Sequence, residues 1–322
     1  MKIVITGGGG FIGFKLAKAL LARGTLAAER IARLTLVDQA FPADLPRDPR
    51  LAALAGDISD PGFAARAIAA DTTSIFHLAA VVSGAAEADF DLGMRVNLGG
   101  MRAVLDQARK CVQPPRLVFA SSVAAFGGDL PKMLDDSTTP APQTSYGSQK
   151  VIGEYLVSDF SRKGYVDGRS LRLPTIVVRP GKANAAASSF ASAVVREPLN
   201  GIPYECPLPP ETGVWLLSPR KVVEAFIHAH DLPAAKWGSN RVMNLPGITV
   251  TVAEMIAAMG KIAGSQVAKR VSWKPDARID AIVKTWPVRF ATPRALALGF
   301  KADPGIEAVI RDYIADEGVK VS

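Results

Sequence analysis

Short apolar runs alternate with longer stretches of helical spacing through the first half of the chain. Lys2–Thr6 is a run of apolar and β-branched residues and predicts a buried strand. Phe11–Arg23 sets Phe11, Leu16, Ala19 and Leu20 at helical spacing and predicts a helix. Arg33–Val37 predicts a second strand ending at Asp38; Ser74–Leu78 and Leu117–Ser121 predict two more. Helical stretches near Pro61–Ala70 and over Asp89–Lys110 lie between them. This alternation predicts an α/β chain, a doubly wound parallel sheet covered by helices on both faces.

The second half is less regular. Ser145–Lys163 predicts a helix and Ser170–Val178 a strand containing Pro174. Pro180–Pro219 is rich in Pro, Gly, Ser and Ala and predicts loops and short elements. Val222–His230 and Val252–Ile262 have helical spacing, the second behind Thr249 and Thr251 as candidate N-caps.

Composition narrows the class. At 322 residues, with 48% hydrophobic and 21% charged residues, the chain is globular and large enough to be stable without disulfides or a structural metal. Two cysteines, Cys111 and Cys206, are too few for a disulfide framework and point to a reducing compartment, with the cytoplasm as the expectation. The three histidines form no metal-binding pattern, so no metal is expected. The net charge of +8 is scattered, without the basic stripe that would predict a nucleic-acid partner. The N-terminus has no signal-peptide core, and no uncharged apolar run reaches the ~20 residues of a membrane span.

Chemistry enters at the first strand–helix junction. In Thr6-Gly7-Gly8-Gly9-Gly10-Phe11-Ile12-Gly13, Gly7 permits a tight turn, Gly10 lets a pyrophosphate approach the backbone, and Gly13 allows close helix packing. The N–H groups of the helix start, at Phe11 and Ile12, then face the anion. Asp38 ends the second strand, where a carboxylate accepts hydrogen bonds from ribose hydroxyls and repels a 2′-phosphate. Gln39, not an arginine, follows it, so the expected cofactor is NAD rather than NADP. Asp57 and Ile58 follow the third apolar segment, where side chains could meet the adenine. Asp57 could equally cap the helix near Pro61.

Tyr146 and Lys150 stand four residues apart and so share one face of a helix. A nearby cation favours phenolate and turns a phenol into a usable base. Ser122 closes the strand Leu117–Ser121, at the sheet edge where doubly wound folds bind ligands.

This ordered set resembles the extended short-chain dehydrogenase/reductase family over nearly the whole chain. Further matches are His77-Leu78-Ala79-Ala80, Asn97-Leu98-Gly99-Gly100, Ser121–Gly127 and Asn244-Leu245-Pro246-Gly247. The resemblance implies a Rossmann-type fold, with Ser122, Tyr146 and Lys150 catalytic. Tyr146 would be the acid/base, and Lys150 would hold the nicotinamide ribose. The backbone of Leu78, Ala79 and Ala80 would line the dinucleotide, Asn97 would belong to the cofactor site in a mostly structural role, and Pro174 and Ile176 would fix the carboxamide. Phe126 stands where the family usually has tyrosine. A narrower likeness to members acting on small sugar acids is carried by Arg179–Phe190 and Arg196–Gly201.

The expected reaction is therefore NAD-dependent oxidation of a small hydroxy acid, a four-carbon sugar acid oxidised at C2. Ser83, Ser122, Tyr146, Arg179, Asn184, Ser188, Trp215 and Arg220 are the substrate candidates. Arg179 and Arg220 could each pair with a carboxylate or form a structural salt bridge. Rival expectations are a nucleotide-sugar epimerase or dehydratase, an L-threonine 3-dehydrogenase-like enzyme, and a non-catalytic NAD-binding protein. Nucleotide-sugar members commonly carry an arginine in a Gly-Val-x segment, whereas this chain reads Gly213-Val214-Trp215. The expected organisation is an NAD-binding domain over 1–178 and a smaller C-terminal substrate-binding lobe over 179–322, with parts of about 220–246 returning to the sheet. The resemblance also implies a homodimer through the Asp89–Lys110 and Ser145–Lys163 helices.

Overall fold

A computed structural model describes residues 1–181 and 188–320. The chain forms two compact units: Met1–Ala125, Pro142–Arg172 and Val223–Asn244 make the first, and Phe126–Ala141, Leu173–Val222 and Leu245–Ser322 the second.

The first unit is built on a parallel sheet of β1 (Lys2–Thr6), β2 (Arg33–Asp38), β3 (Leu51–Ala55), β4 (Ser74–His77), β5 (Arg116–Ser122), β6 (Asp167–Leu173) and β7 (Val242–Asn244), in spatial order β7-β6-β5-β4-β1-β2-β3. The strand order reverses beside β1, which leaves a crevice at the carboxyl ends of β1 and β4, the usual ligand position in such sheets. One row of register crosses that edge: Thr6 pairs with Val37 on one side and His77 on the other, and His77 pairs with Phe119. The central strands are apolar throughout because helices cover both faces. On one face α2 (Pro61–Ala67), α3 (Gly100–Ala108) and α4 (Ser145–Arg162) pack Phe63, Met101, Leu105 and Val157 over Val4, Ile75, Leu117 and Phe119. On the other, Leu16 and Leu20 of α1 (Phe11–Arg23) and Phe226 are fully buried, with Phe226 edge-on to Phe76 of β4.

The second unit holds a three-stranded sheet in which Gly213–Leu217 runs parallel to Thr175–Ile176 and antiparallel to Ile248–Thr251. A ribbon of Tyr204–Cys206 with Val271–Trp273 and the helices Ser189–Leu199, Val252–Ala263 and Ile306–Glu317 complete it. Their core gathers Val194, Leu216, Met255, Met259, Ile310 and Tyr313.

Three elements differ from the sequence expectation. The Ser170–Val178 strand is two strands, because Pro174 offers no N–H to a ladder: β6 stops at Leu173, and Thr175–Ile176 joins the other sheet. Pro180–Pro219 contains an eleven-residue helix, Ser189–Leu199, whose apolar face outweighs its small residues and which carries Pro198 only at its end. The Asp89–Lys110 helix is Phe90–Gly93, one wide turn over Met94–Gly99, and then α3. Thr249 lies in a strand, while Thr251 caps Val252–Ala263 in a capping box with Glu254.

Candidate active site

The glycine loop is shaped by close approach. Gly7 has φ +72°, and a Cβ there would sit 2.7 Å from the Ala79 amide nitrogen. A Cβ on Gly13 would run into the Gly7 carbonyl oxygen, so this glycine lets α1 close on the loop itself rather than on the sheet. Gly10 begins α1 in extended conformation with no side-chain cap. The first amides of α1, from Phe11 onward, therefore lack the internal carboxylate or hydroxyl that normally covers them, as an anion-binding helix start requires. This cradle fits a dinucleotide pyrophosphate.

Asp38 fixes the neighbouring wall: its carboxylate accepts from the Gly9 amide at 3.0 Å and the Gln39 amide at 2.8 Å. A Cβ on Gly9 would strike the Ala40 carbonyl, so a third glycine of the cluster is also constrained. Asp57 does not cap the α2 helix. Asp60 does, accepting from the Phe63 amide at 2.9 Å directly before Pro61. Asp57 instead accepts from the Ser59 amide and hydroxyl and pairs with Arg95. Burial raises its pKa, but the Ser59 hydrogen bonds and Arg95 outweigh burial and hold the carboxyl below its ordinary value. Ile58 beside it is buried.

The segment after β4 is tied back to the sheet. Leu78 donates to the Thr6 carbonyl at 3.0 Å, and Thr6 Oγ1 meets His77 Nδ1 at 2.7 Å. Burial, reinforced by Lys150, pushes the His77 pKa down to about 3, so the ring is neutral. Leu78, Ala79 and Ala80 stay half-buried at this edge. Asn97 accepts from the Val81 amide at 2.7 Å and donates to the Val81 carbonyl at 3.0 Å and to Gln149 Oε1 at 2.7 Å. Ser83 is half-buried at the start of a short helix, Ser83–Ala88.

Tyr146, Lys150 and Ser122 all belong to the first unit. Thr144 caps α4, which places Tyr146 in the first turn, half-buried. A Cβ on Gly147 would collide with the Ala124 carbonyl, so glycine here lets α4 close on the turn Val123–Ala125 that follows Ser122. Ser122 is half-buried, and its Oγ accepts from the Ala124 amide at 3.1 Å. Lys150 is 3% exposed. Its Nζ donates to the Ala120 carbonyl at 2.8 Å and lies 5.3 Å from the Tyr146 ring centroid and 4.8 Å from that of Phe119. Burial pushes the Lys150 pKa down to about 7, opposed by the Glu154 carboxylate. The arrangement can set a cation beneath a phenol, next to a hydroxyl at a strand end.

The remaining candidates lie in the second unit. Pro174 is buried, and the Ile176 carbonyl accepts from Arg179 Nε at 3.2 Å. Trp215 is stacked on Phe290 with ring centroids 5.2 Å apart, and Phe126 meets the same ring edge-on at 5.8 Å. Ser188 precedes Ser189–Leu199 without capping it through its side chain. Asn184 lies outside the described residues. Arg220 is a correction: its guanidinium is forked on Asp316 at 2.9 and 2.6 Å and reaches Asp312 at 2.5 Å, so the structural ion pair takes the place of a substrate carboxylate. Among the described residues no group of three His, Cys, Asp or Glu could hold a metal ion.

The match to the NAD dependent epimerase/dehydratase family model spans residues 3–237, through the glycine loop, Ser122, Tyr146 and Lys150. The chain belongs to that family. Within it, the chain is 54% identical to a D-erythronate dehydrogenase of Cupriavidus necator over 99% of both chains. It is 44% identical to one of Haemophilus influenzae over 98% of this chain and 99% of that one. A crystal structure described as a nucleoside-diphosphate-sugar epimerase from Agrobacterium tumefaciens superposes with TM-score 0.95 at 41% identity, covering 100% of this chain and 96% of the other. Family membership accounts for the glycine cradle.

Gly147, Ser121, Glu154 and Arg172 receive no role from the sequence pattern. The first could have been found from its place directly after the tyrosine, and Glu154 from its place one turn beyond Lys150.

Proposed function

We propose that this protein oxidises D-erythronate at C2 to the 2-oxo acid, with NAD as oxidant and Tyr146 as base. The observation that carries the chemistry is the Lys150 ammonium beneath the Tyr146 ring, anchored by the Ala120 carbonyl. A cation there favours phenolate. Tyr146 Oη takes the substrate hydroxyl proton, and Ser122 Oγ hydrogen-bonds the same oxygen to orient the carbinol. As that proton leaves, the C2–H bond breaks with its electron pair and the C2–O bond becomes a carbonyl. NAD, when bound, supplies the acceptor for that hydride.

The residues that would hold NAD are Gly7, Gly10, Phe11, Ile12 and Gly13 at the pyrophosphate, Asp38 at the adenosine ribose, and Asp57 and Ile58 toward adenine. Leu78, Ala79 and Ala80 would lie along the dinucleotide, with Lys150 at the second ribose and Pro174 and Ile176 at the carboxamide. Asp38 favours NAD over NADP by charge.

The substrate assignment is supported by the two D-erythronate dehydrogenase relatives and by Trp215, an apolar residue stacked on Phe290 at a position where nucleotide-sugar enzymes tend to carry arginine. Arg179 is the remaining candidate for the carboxylate, with Ser83, Asn184 and Ser188 as partners for the hydroxyls. A homodimer is supported by exposed Phe90, Ile152 and Tyr155 on the helical segments that family resemblance assigns to the interface. A cytoplasmic setting is supported by two free cysteines.

A steady-state NADH assay with D-erythronate, erythritol, L-threonine and UDP-galactose tests the reading. D-erythronate is expected to be oxidised well. Erythritol and L-threonine should be poor substrates, since a site that leaves buried polar groups unpaired rejects analogues by up to about 10⁴-fold. Epimerisation of UDP-galactose, which yields no net NADH and is followed by chromatography of the nucleotide sugars, or strong inhibition by UDP, would replace this assignment with the epimerase reading.

A further inference from the structure

Glu154 is a buried carboxylate that the proposed chemistry leaves without a task. It is 3% exposed and lies one helical turn beyond Lys150 on α4. Its Oε1 accepts from Ser121 Oγ at the end of β5 and from Arg172 Nε of β6 at 2.8 Å, and its Oε2 accepts from Arg172 Nη2 at 2.7 Å. Arg172 Nη1 reaches Asn244 Oδ1 of β7 at 3.4 Å. Three adjacent strands therefore converge on one carboxylate. Burying such a pair costs stability that a well-packed apolar pair would not, so its retention calls for a reason.

We propose that Glu154 is a positioning residue that keeps the Lys150 ammonium charged in its buried seat, with Arg172 holding the carboxylate in place and moderating its effect. This rests on the reading of Lys150 as the cation beside Tyr146.

Apart from the Tyr146 phenol, which carries no charge until it gives up its proton, the other groups packed around Lys150 do not supply that charge. His77 of β4 is neutral. Phe119 and Ala120 of β5 offer a ring face and a carbonyl, and Asn97 and Gln149 bond each other as neutral amides. On the neighbouring helical segments Glu87 accepts from the Ser145 amide, Arg95 pairs with Asp57, and Arg102 with Asp106. Arg116, at the far end of β5, binds Asp167. Burial pulls the Lys150 pKa down, and the Glu154 carboxylate is the opposing charge.

The two ends of the pair predict opposite signs. Glu154→Gln removes the attraction, so the Lys150 titration midpoint should fall by about one unit. Arg172→Gln leaves the carboxylate less compensated, so the midpoint should rise. The readout is the ¹³Cε and ¹⁵Nζ NMR titration of lysine-labelled protein without cofactor, with the Lys150 signal assigned by its loss in Lys150→Met. If Glu154→Gln fails to fold, the double variant Glu154→Gln/Arg172→Met, which strands neither charge, should show the same fall. Unmoved midpoints, or shifts of the same sign in Glu154→Gln and Arg172→Gln, overturn the proposal. The alkaline limb of kcat/KM should follow the midpoint in each variant. A midpoint that moves while the rate profile stays leaves Glu154's role standing and counts against the ammonium's part in the reaction.

Discussion

In the proposed reaction, Tyr146 and Lys150 divide one task between two side chains of ordinary character. The phenol alone would need a pH near its usual value of about 10 to act as a base. The ammonium beside it is itself weakened by burial, which brings the Lys150 pKa down to about 7. With its pKa at about 7, the ammonium is present at acid pH and is lost as pH rises through that value, and with it the help it gives a phenolate. Tyr146→Phe keeps the ring over Lys150 and removes the proton acceptor. Turnover of the preferred hydroxy acid should fall by at least about 10²-fold, the low end for a lost general base. NAD affinity, followed by fluorescence titration, should be nearly unchanged, and near-normal turnover would remove Tyr146 from the mechanism. The Tyr146–Lys150 pair was legible because four-residue spacing on a helix leaves little geometric freedom. Asp57 and Arg220 were not, since their partners Ser59, Arg95, Asp312 and Asp316 depend on which loops and helices meet.

At the scale of elements, the strand–helix alternation of the first unit could be read directly, because buried parallel strands are continuous apolar runs bounded by glycine and acid. The second unit resisted. Its strands are short, and the helix Ser189–Leu199 lies inside Pro180–Pro219, a stretch whose proline, glycine and serine content reads as loop. Pro174 marks a weak point in the strand pattern, yet only the partner strands show that the chain passes there from one sheet to another. The contact between α4 and the Val123–Ala125 turn is the element-level feature with a direct test. Gly147→Ala puts a methyl group against the Ala124 carbonyl. Overpacking of this kind costs about 1–3 kcal/mol. The variant should show a lower Tm by scanning calorimetry and a kcat reduced roughly tenfold or more, because a displaced α4 moves Tyr146 away from Ser122. Wild-type kcat with a lowered Tm would mean that the contact serves stability alone.

At the scale of the whole molecule, the parallel α/β architecture followed from the sequence because it is the sum of many weak, agreeing local signals. Assembly is a different matter. Tyr155 is 68% exposed and Ile152 40%, both on α4, and Phe90 is 58% exposed on the preceding helical segment. If these form the proposed homodimer contact, Ile152→Glu/Tyr155→Glu should halve the mass seen by light scattering while leaving the folded circular dichroism spectrum intact. A wild-type protein that already scatters as a single chain would refute the dimer.

The sheet of the first unit is also assembled out of order in time. β6 ends at Leu173, and its outer neighbour β7 begins at Val242, after nearly the whole stretch Leu173–Val222 of the other unit. At about 5–20 residues per second, a ribosome leaves the β6 edge uncovered for several seconds. An open, apolar parallel edge invites pairing with a neighbouring chain, and charged side chains along it discourage that pairing. β6 reads Asp-Gly-Arg-Ser-Leu-Arg-Leu. Arg169 and Arg172 are buried in the complete sheet as partners of Asp167 and Glu154; on an edge not yet covered by β7 their charges would be exposed and would discourage such pairing.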